Sequence, residues 1–96
     1  MSEDDLLAYV VERAGWKGWL VYHIRDSRAG IVQGHVGFPD LVLSRRGRVI
    51  FAELKSMGRN AEVDQQIWLS DLAKNPGVEV YLWRPKDLTT IDKTLE

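Results

Sequence analysis

Apolar residues recur at three- and four-residue intervals in the first stretch of the chain, where Leu6, Leu7, Val10, Val11 and Ala14 have helical spacing. Ser2 is a good N-cap. Glu3, Asp4 and Asp5 follow it in the first turn, where the helix dipole favours acids. This predicts a helix over Glu3 to Ala14. The pattern then changes, because "WLVYHI" (Trp19 to Ile24) is aromatic and β-branched and reads as a strand. "RDSRAGIVQGHVGFP" holds three glycines and a proline with little periodicity, and so predicts a long loop of the kind that is often functional.

"DLVLS" and "RVIFAELK" read as two strands joined by a short turn at "RRG", an antiparallel hairpin. After the glycine-containing loop "SMGRN", the segment "AEVDQQIWLSDLAK" is expected to be an amphipathic helix with Val63, Ile67, Leu72 and Trp68 on one side. Asn75, Pro76 and Gly77 stop that helix. "VEVYLWR" (Val78 to Arg84) alternates as a strand, and Leu88, Ile91 and Leu95 mark a short final helix. No repeat, low-complexity segment or linker interrupts the order α-β-β-β-α-β-(α). The expectation is one domain over residues 1–96, of α/β class, with a mixed central sheet flanked by helices.

Composition changes this picture little. A chain of 96 residues, 45% hydrophobic and 28% charged, has room for one modest core, and a small core favours oligomerisation; a homodimer is expected. Cysteine is absent, which excludes disulfides and thiolate chemistry. The N-terminus is acidic where a secretory signal would be basic, and no apolar run approaches membrane-spanning length, so the chain reads as cytoplasmic with no membrane partner. Thirteen basic and fourteen acidic residues nearly cancel, but Arg25, Arg28, Arg45, Arg46, Arg48, Lys55 and Arg59 all lie in the middle of the chain. A local basic face could therefore meet a polyanion despite the neutral total.

Three ionisable groups interrupt the hairpin. Alternation along its second strand puts Val49, Phe51, Glu53 and Lys55 on one face and Ile50, Ala52 and Leu54 on the other. Asp40 opens the preceding strand, so in a hairpin turning at Arg46 and Gly47 it lies roughly across from Glu53 and Lys55. A register slip of one residue would send it to the opposite face. A Glu and a Lys two apart at a strand end are most often a solvated ion pair. Two carboxylates on adjacent strands, however, offer hard oxygen donors suited to Mg²⁺ or Mn²⁺, and a lysine beside them can orient water or stabilise charge developing on a phosphate. Uncatalysed phosphodiester hydrolysis is so slow that general acid–base catalysis, at ~10²–10⁴-fold, leaves most of the acceleration to such an ion.

"FPD", followed after twelve residues by "ELK" in an α-β-β-β-α-β order, resembles the PD-(D/E)XK nuclease superfamily and its restriction-endonuclease-like core. "GFPDLVLSRRGRVIFAELKSMGRNAEVDQQIWLSDL" is similar, more narrowly, to the VRR-NUC (virus-type replication-repair nuclease) family, including its stand-alone phage and bacterial members. The resemblance implies a divalent-metal-dependent nuclease using Mg²⁺ or Mn²⁺. In it Asp40, Glu53 and the backbone carbonyl of Leu54 would be metal ligands, and Lys55 would stand near the attacking water. By matching it also implies Gln65, with Gln66 as the neighbour open to confusion, and a carboxylate on the first helix: Glu3 first, then Glu12, then Asp4. The segment between Gly58 and Gln65 lacks the family's Ser-Pro-Glu lead-in.

The resemblance to the stand-alone members leads to the expectation of a DNA endonuclease, structure-selective for branched DNA such as a Holliday junction and acting as a homodimer. Arg59, Arg25, Arg28, Arg45 and Arg46 are the candidate phosphate contacts. Two other readings stay open at this point: a DNA-binding module that keeps the fold without catalysis, and an interaction protein in which the three charges form a structural cluster.

Overall fold

The order of elements is α1 (Glu3–Trp16), β1 (Leu20–His23), β2 (Leu41–Arg45), β3 (Arg48–Leu54), α2 (Val63–Ala73), β4 (Val78–Trp83) and α3 (Leu88–Thr94), with a 3-10 turn at Pro85–Asp87. These come from a computed structural model that describes residues 1–24 and 33–96; Arg25, Arg28 and Gly30 of the long loop lie outside the described residues. The expected order is the observed one.

Helix α1 starts where Ser2 predicted. The Ser2 hydroxyl accepts from the Asp5 N–H at 3.0 Å and the Asp5 carboxylate accepts from the Ser2 N–H at 3.0 Å, a reciprocal cap that satisfies two backbone donors. The helix runs on past Ala14 to Trp16, and Leu6, Val10 and Ala14 form its buried stripe.

The four strands lie in the order β1-β2-β3-β4, antiparallel across the first two pairings and parallel between β3 and β4. The β2–β3 hairpin turns through Arg46 at φ 48° and Gly47 at φ 83°. Two successive left-handed residues match the twist of the flanking strands, which is why a two-residue connection suffices. Leu41, Leu43, Ile50, Ala52 and Leu54 turn to one face and join the buried residues of α1 and α3 in one core with Trp19 and Trp83. The opposite face carries Val42, Val49, Phe51 and Val80, half-buried, with α2 lying over β4.

The face of α2 differs from the expected one. Val63 and Ile67 are 70% and 62% exposed, while Gln65, Trp68, Leu69 and Leu72 are half-buried. At about 100° per residue, Val63 and Ile67 share one stripe and Leu72 lies about 180° from Val63, so the four residues grouped from the sequence could not all face the sheet. Trp16, at the end of α1, is 71% exposed.

Arg45 and Arg48 take a role the sequence did not suggest. Arg45 donates to the carbonyls of Lys17 (2.9 Å), Leu95 (3.1 Å) and Glu96 (2.7 Å), with its guanidinium 4.5 Å from the Trp19 ring centroid. Arg48 grips Glu79 through two hydrogen bonds of 2.8 and 2.7 Å and donates to the Thr94 carbonyl at 3.1 Å. The Trp19 indole N–H donates to Leu95 O at 2.9 Å. These cations close the C-terminal turn onto the sheet at the hairpin end far from Asp40. No helix among the described residues is long and apolar enough to cross a membrane.

Leu95 is fully buried at the end of this closure. Leu95→Ala is expected to lower unfolding stability by about 2–4 kcal/mol through lost burial and the cavity left behind, read as a reduced urea midpoint with an unchanged slope.

Candidate active site

Gly37 sets the entry of the chain into the site. Its φ is +93°, and a Cβ built there would fall 2.7 Å from the backbone carbon of Asp64, so the loop presses directly on the first turn of α2 and admits no side chain. Phe38 then packs edge-on against Phe51 and Trp68, with ring centroids 5.8 and 5.1 Å apart, and Trp68 donates its indole N–H to the Val36 carbonyl at 3.1 Å. Pro39 is buried. Together these contacts deliver Asp40 to the head of β2 in one position.

The ladder decides what Asp40 meets. Leu41 pairs with Ala52, so Asp40 stands opposite Glu53, and the two side chains share a face. The Asp40 N–H donates to Glu53 Oε1 at 3.2 Å, and the Leu54 N–H donates to Asp40 Oδ2 at 2.9 Å. Lys55 Nζ lies 3.6 Å from Glu53 Oε2. The expected convergence of the three groups is therefore present, and there is no register slip. Glu53 is 1% exposed and Lys55 7%, which sets this cluster apart from a solvated surface pair.

Burial, with the neighbouring Asp40 charge adding to it, pushes the Glu53 carboxyl up to about 7 against the opposing pull of Lys55. Lys55 offsets only part of the cost of holding a buried carboxyl against a second one. Asp40 and Glu53 are hard oxygen donors of the kind that suits Mg²⁺ or Mn²⁺, and the Leu54 carbonyl follows directly in the chain. Among the described residues no group of three His, Cys, Asp or Glu side chains could hold a metal ion. Two carboxylates and a carbonyl suit an ion that keeps several waters rather than one enclosed by protein ligands.

The other sequence candidates fall in different places. Glu3 lies in the first turn of α1 and does not join Asp40 and Glu53 in a three-carboxylate group; nor do Glu12 and Asp4. Gln65 accepts from the Glu62 N–H at 2.8 Å and so caps the start of α2, while Gln66 donates to the Ala61 carbonyl at 2.8 Å and is exposed. Arg59 is exposed in the loop after β3, four residues beyond Lys55; Arg46 is exposed in the distant hairpin turn. Sequence reasoning missed the close approach of Gly37 to α2, whose one available signal was a glycine two residues before the Pro-Asp pair.

No family model matches the sequence, and no curated protein matches it. A solved structure described as a VRR_NUC domain superposes on it with a TM-score of 0.75 at 20% identity, covering 97% of each chain. The chain has the VRR-NUC fold. Its mixed four-stranded sheet, flanked by helices, is the architecture expected from the "PD" and "ELK" strands. Within this VRR-NUC fold the carboxylates of Asp40 and Glu53 occupy the end of the central hairpin opposite its turn.

Gly37→Ala is expected to lower the thermal midpoint by several degrees, since the methyl group meets backbone and the left-handed φ disfavours any side chain. Glu53 makes stability depend on pH in the metal-free protein. Its folded value of about 7 lies above the ordinary 4.5, so the folded state retains a proton that the unfolded chain releases. This contribution is fully present below about pH 4.5 and is lost as pH rises through about 7. Glu53→Gln should flatten that part of the stability profile, measured by urea unfolding between those limits in EDTA.

Proposed function

We propose that this protein is a divalent-metal-dependent endonuclease that hydrolyses DNA phosphodiester bonds through an activated water, with no covalent intermediate. One observation carries the reading: a buried Glu53 in contact with a half-buried Asp40 across β2 and β3, with Lys55 beside it, on the VRR-NUC fold. Asp40, Glu53 and the Leu54 carbonyl would hold Mg²⁺ or Mn²⁺, which when bound polarises phosphate and lowers the pKa of its water.

The protein's own groups do the rest. The Leu54 N–H holds one oxygen of Asp40 and the Asp40 N–H holds one of Glu53, so neither carboxylate has to reorganise to bind a cation. Lys55, almost wholly buried, brings its ammonium to Glu53 without free rotation and can donate to a water or to a phosphoryl oxygen. Arg59 supplies a phosphate contact beside the reacting bond, adding salt-dependent affinity without sequence information.

One active site per chain makes paired incisions a task for two chains. We therefore assign the active form as a homodimer whose two sites cut opposite strands of a branched DNA such as a four-way junction. All 96 residues act as one nuclease domain, with DNA shape rather than base identity setting selectivity.

The test is cleavage of labelled four-way junction, flap, duplex and single-stranded DNA with Mg²⁺, Mn²⁺ or EDTA. Wild type should cut only with metal, and Asp40→Asn and Lys55→Ala should each lose on the order of 10²–10⁴-fold in rate. Mn²⁺ should also raise the melting temperature of wild type but not of Asp40→Asn. Binding of DNA without cutting under every metal would replace this reading with a DNA-binding module that has lost catalysis.

A further inference from the structure

Arg84 follows the last residue of β4 and sits at the edge of the site. Leu54 pairs with Trp83, and the Lys55 N–H donates to the Trp83 carbonyl at 3.0 Å, so the parallel ladder continues one step and sets Arg84 beside Lys55. Paired residues of a ladder share a face, which places the Arg84 side chain on the side of Glu53 and Lys55. Its own N–H donates to Asp87 Oδ2 at 2.8 Å, fixing the backbone from which the guanidinium departs.

That guanidinium bridges the two ends of the loop after β3. Nη1 donates to the Ser56 carbonyl at 2.9 Å and to the Arg59 carbonyl. The same two residues close a turn through the Arg59 N–H, which donates to Ser56 O at 3.3 Å, with Gly58 at φ +80° inside it. Met57, Gly58, Arg59 and Asn60 are all exposed, so little apolar packing holds this turn. Among the described residues no carboxylate forms an ion pair with Arg84. Both bonds leave Nη1, one arm of a rigid planar group, whereas a lysine ammonium is a point charge on a more flexible stem.

We propose that Arg84 is a positioning residue: by gripping the Ser56–Arg59 turn it holds the Arg59 side chain where it meets the DNA backbone beside Lys55. This rests on the nuclease reading above. An arginine on an unheld turn must be ordered when DNA binds, and a turn fixed beforehand removes that entropic cost.

The experiment is a double-mutant cycle on the full chain. Binding of a labelled four-way junction is measured with Ca²⁺ replacing Mg²⁺, across a salt series, for wild type, Arg84→Ala, Arg84→Lys, Arg59→Ala and the Arg84→Ala/Arg59→Ala double variant. Folding is checked by thermal melting, and exchange of the Arg59 amide is followed by NMR. Arg84→Ala and Arg59→Ala should each weaken binding about 5- to 10-fold and reduce the salt slope by ~0.9, and the double variant should be no weaker than either single one. Arg84→Lys should behave as Arg84→Ala despite its retained charge, and the Arg59 amide should exchange faster in both. Wild-type binding by Arg84→Lys, or a double variant weakened by the product of the two single losses, would overturn the proposal, because Arg84 would then act as a charge of its own. Failure of wild type to bind DNA at all would instead remove the nuclease reading, and this inference with it.

Discussion

Asp40 and Glu53 face one another because the β2–β3 ladder is held in a single register, and the site depends on that constraint more than on any one side chain. A shift of one residue would turn Asp40 to the core face and bring Leu41 opposite Glu53. Two features prevent it. The hairpin closes through two left-handed residues, Arg46 and Gly47, a geometry that fixes which residues pair. At the other end, Asp40 Oδ2 accepts the Leu54 N–H and Glu53 accepts the Asp40 N–H, so the charged groups lock the register that brings them together.

Around this hairpin the two sheet faces serve different ends. The α1 and α3 face is a continuous apolar core closed by Trp19, Arg45 and the terminal carbonyls. The α2 face is thinner, with half-buried contacts from Trp68, Leu69 and Leu72, and it accommodates the ionisable cluster. Burial there raises the Glu53 carboxyl by disfavouring its charged form, and Lys55 only partly opposes that shift. Such an arrangement is unfavourable for a domain held together by packing alone, and strained electrostatics of this kind recur where a protein binds or reacts.

Much of this was legible before any coordinates. The element order, the cap at Ser2, the hairpin turn and the facing of Glu53 and Lys55 all follow from local periodicities, which act over a few residues and leave a direct trace in the chain. The arginines were less legible. Positive charge in the middle of the chain suggested a common DNA-facing role, yet Arg45 and Arg48 close the C-terminus and Arg84, outside that group, grips the turn beside the site. A guanidinium reads the same in sequence whether it meets phosphate or a carbonyl, because its partner is distant along the chain. The same holds for α2, where helical periodicity is evident but Val63 and Ile67 face outwards.

What the sequence determined by itself, then, is the set of elements and the side of each strand on which its charges stand. The tertiary structure alone decided that Gly37 must touch the backbone of Asp64, that Gln65 caps a helix, and that Glu3 forms no three-carboxylate group with Asp40 and Glu53. These outcomes turn on distances between segments far apart in the chain. Local pattern specifies a residue's direction within its own element, while only the packing of elements specifies what lies in that direction.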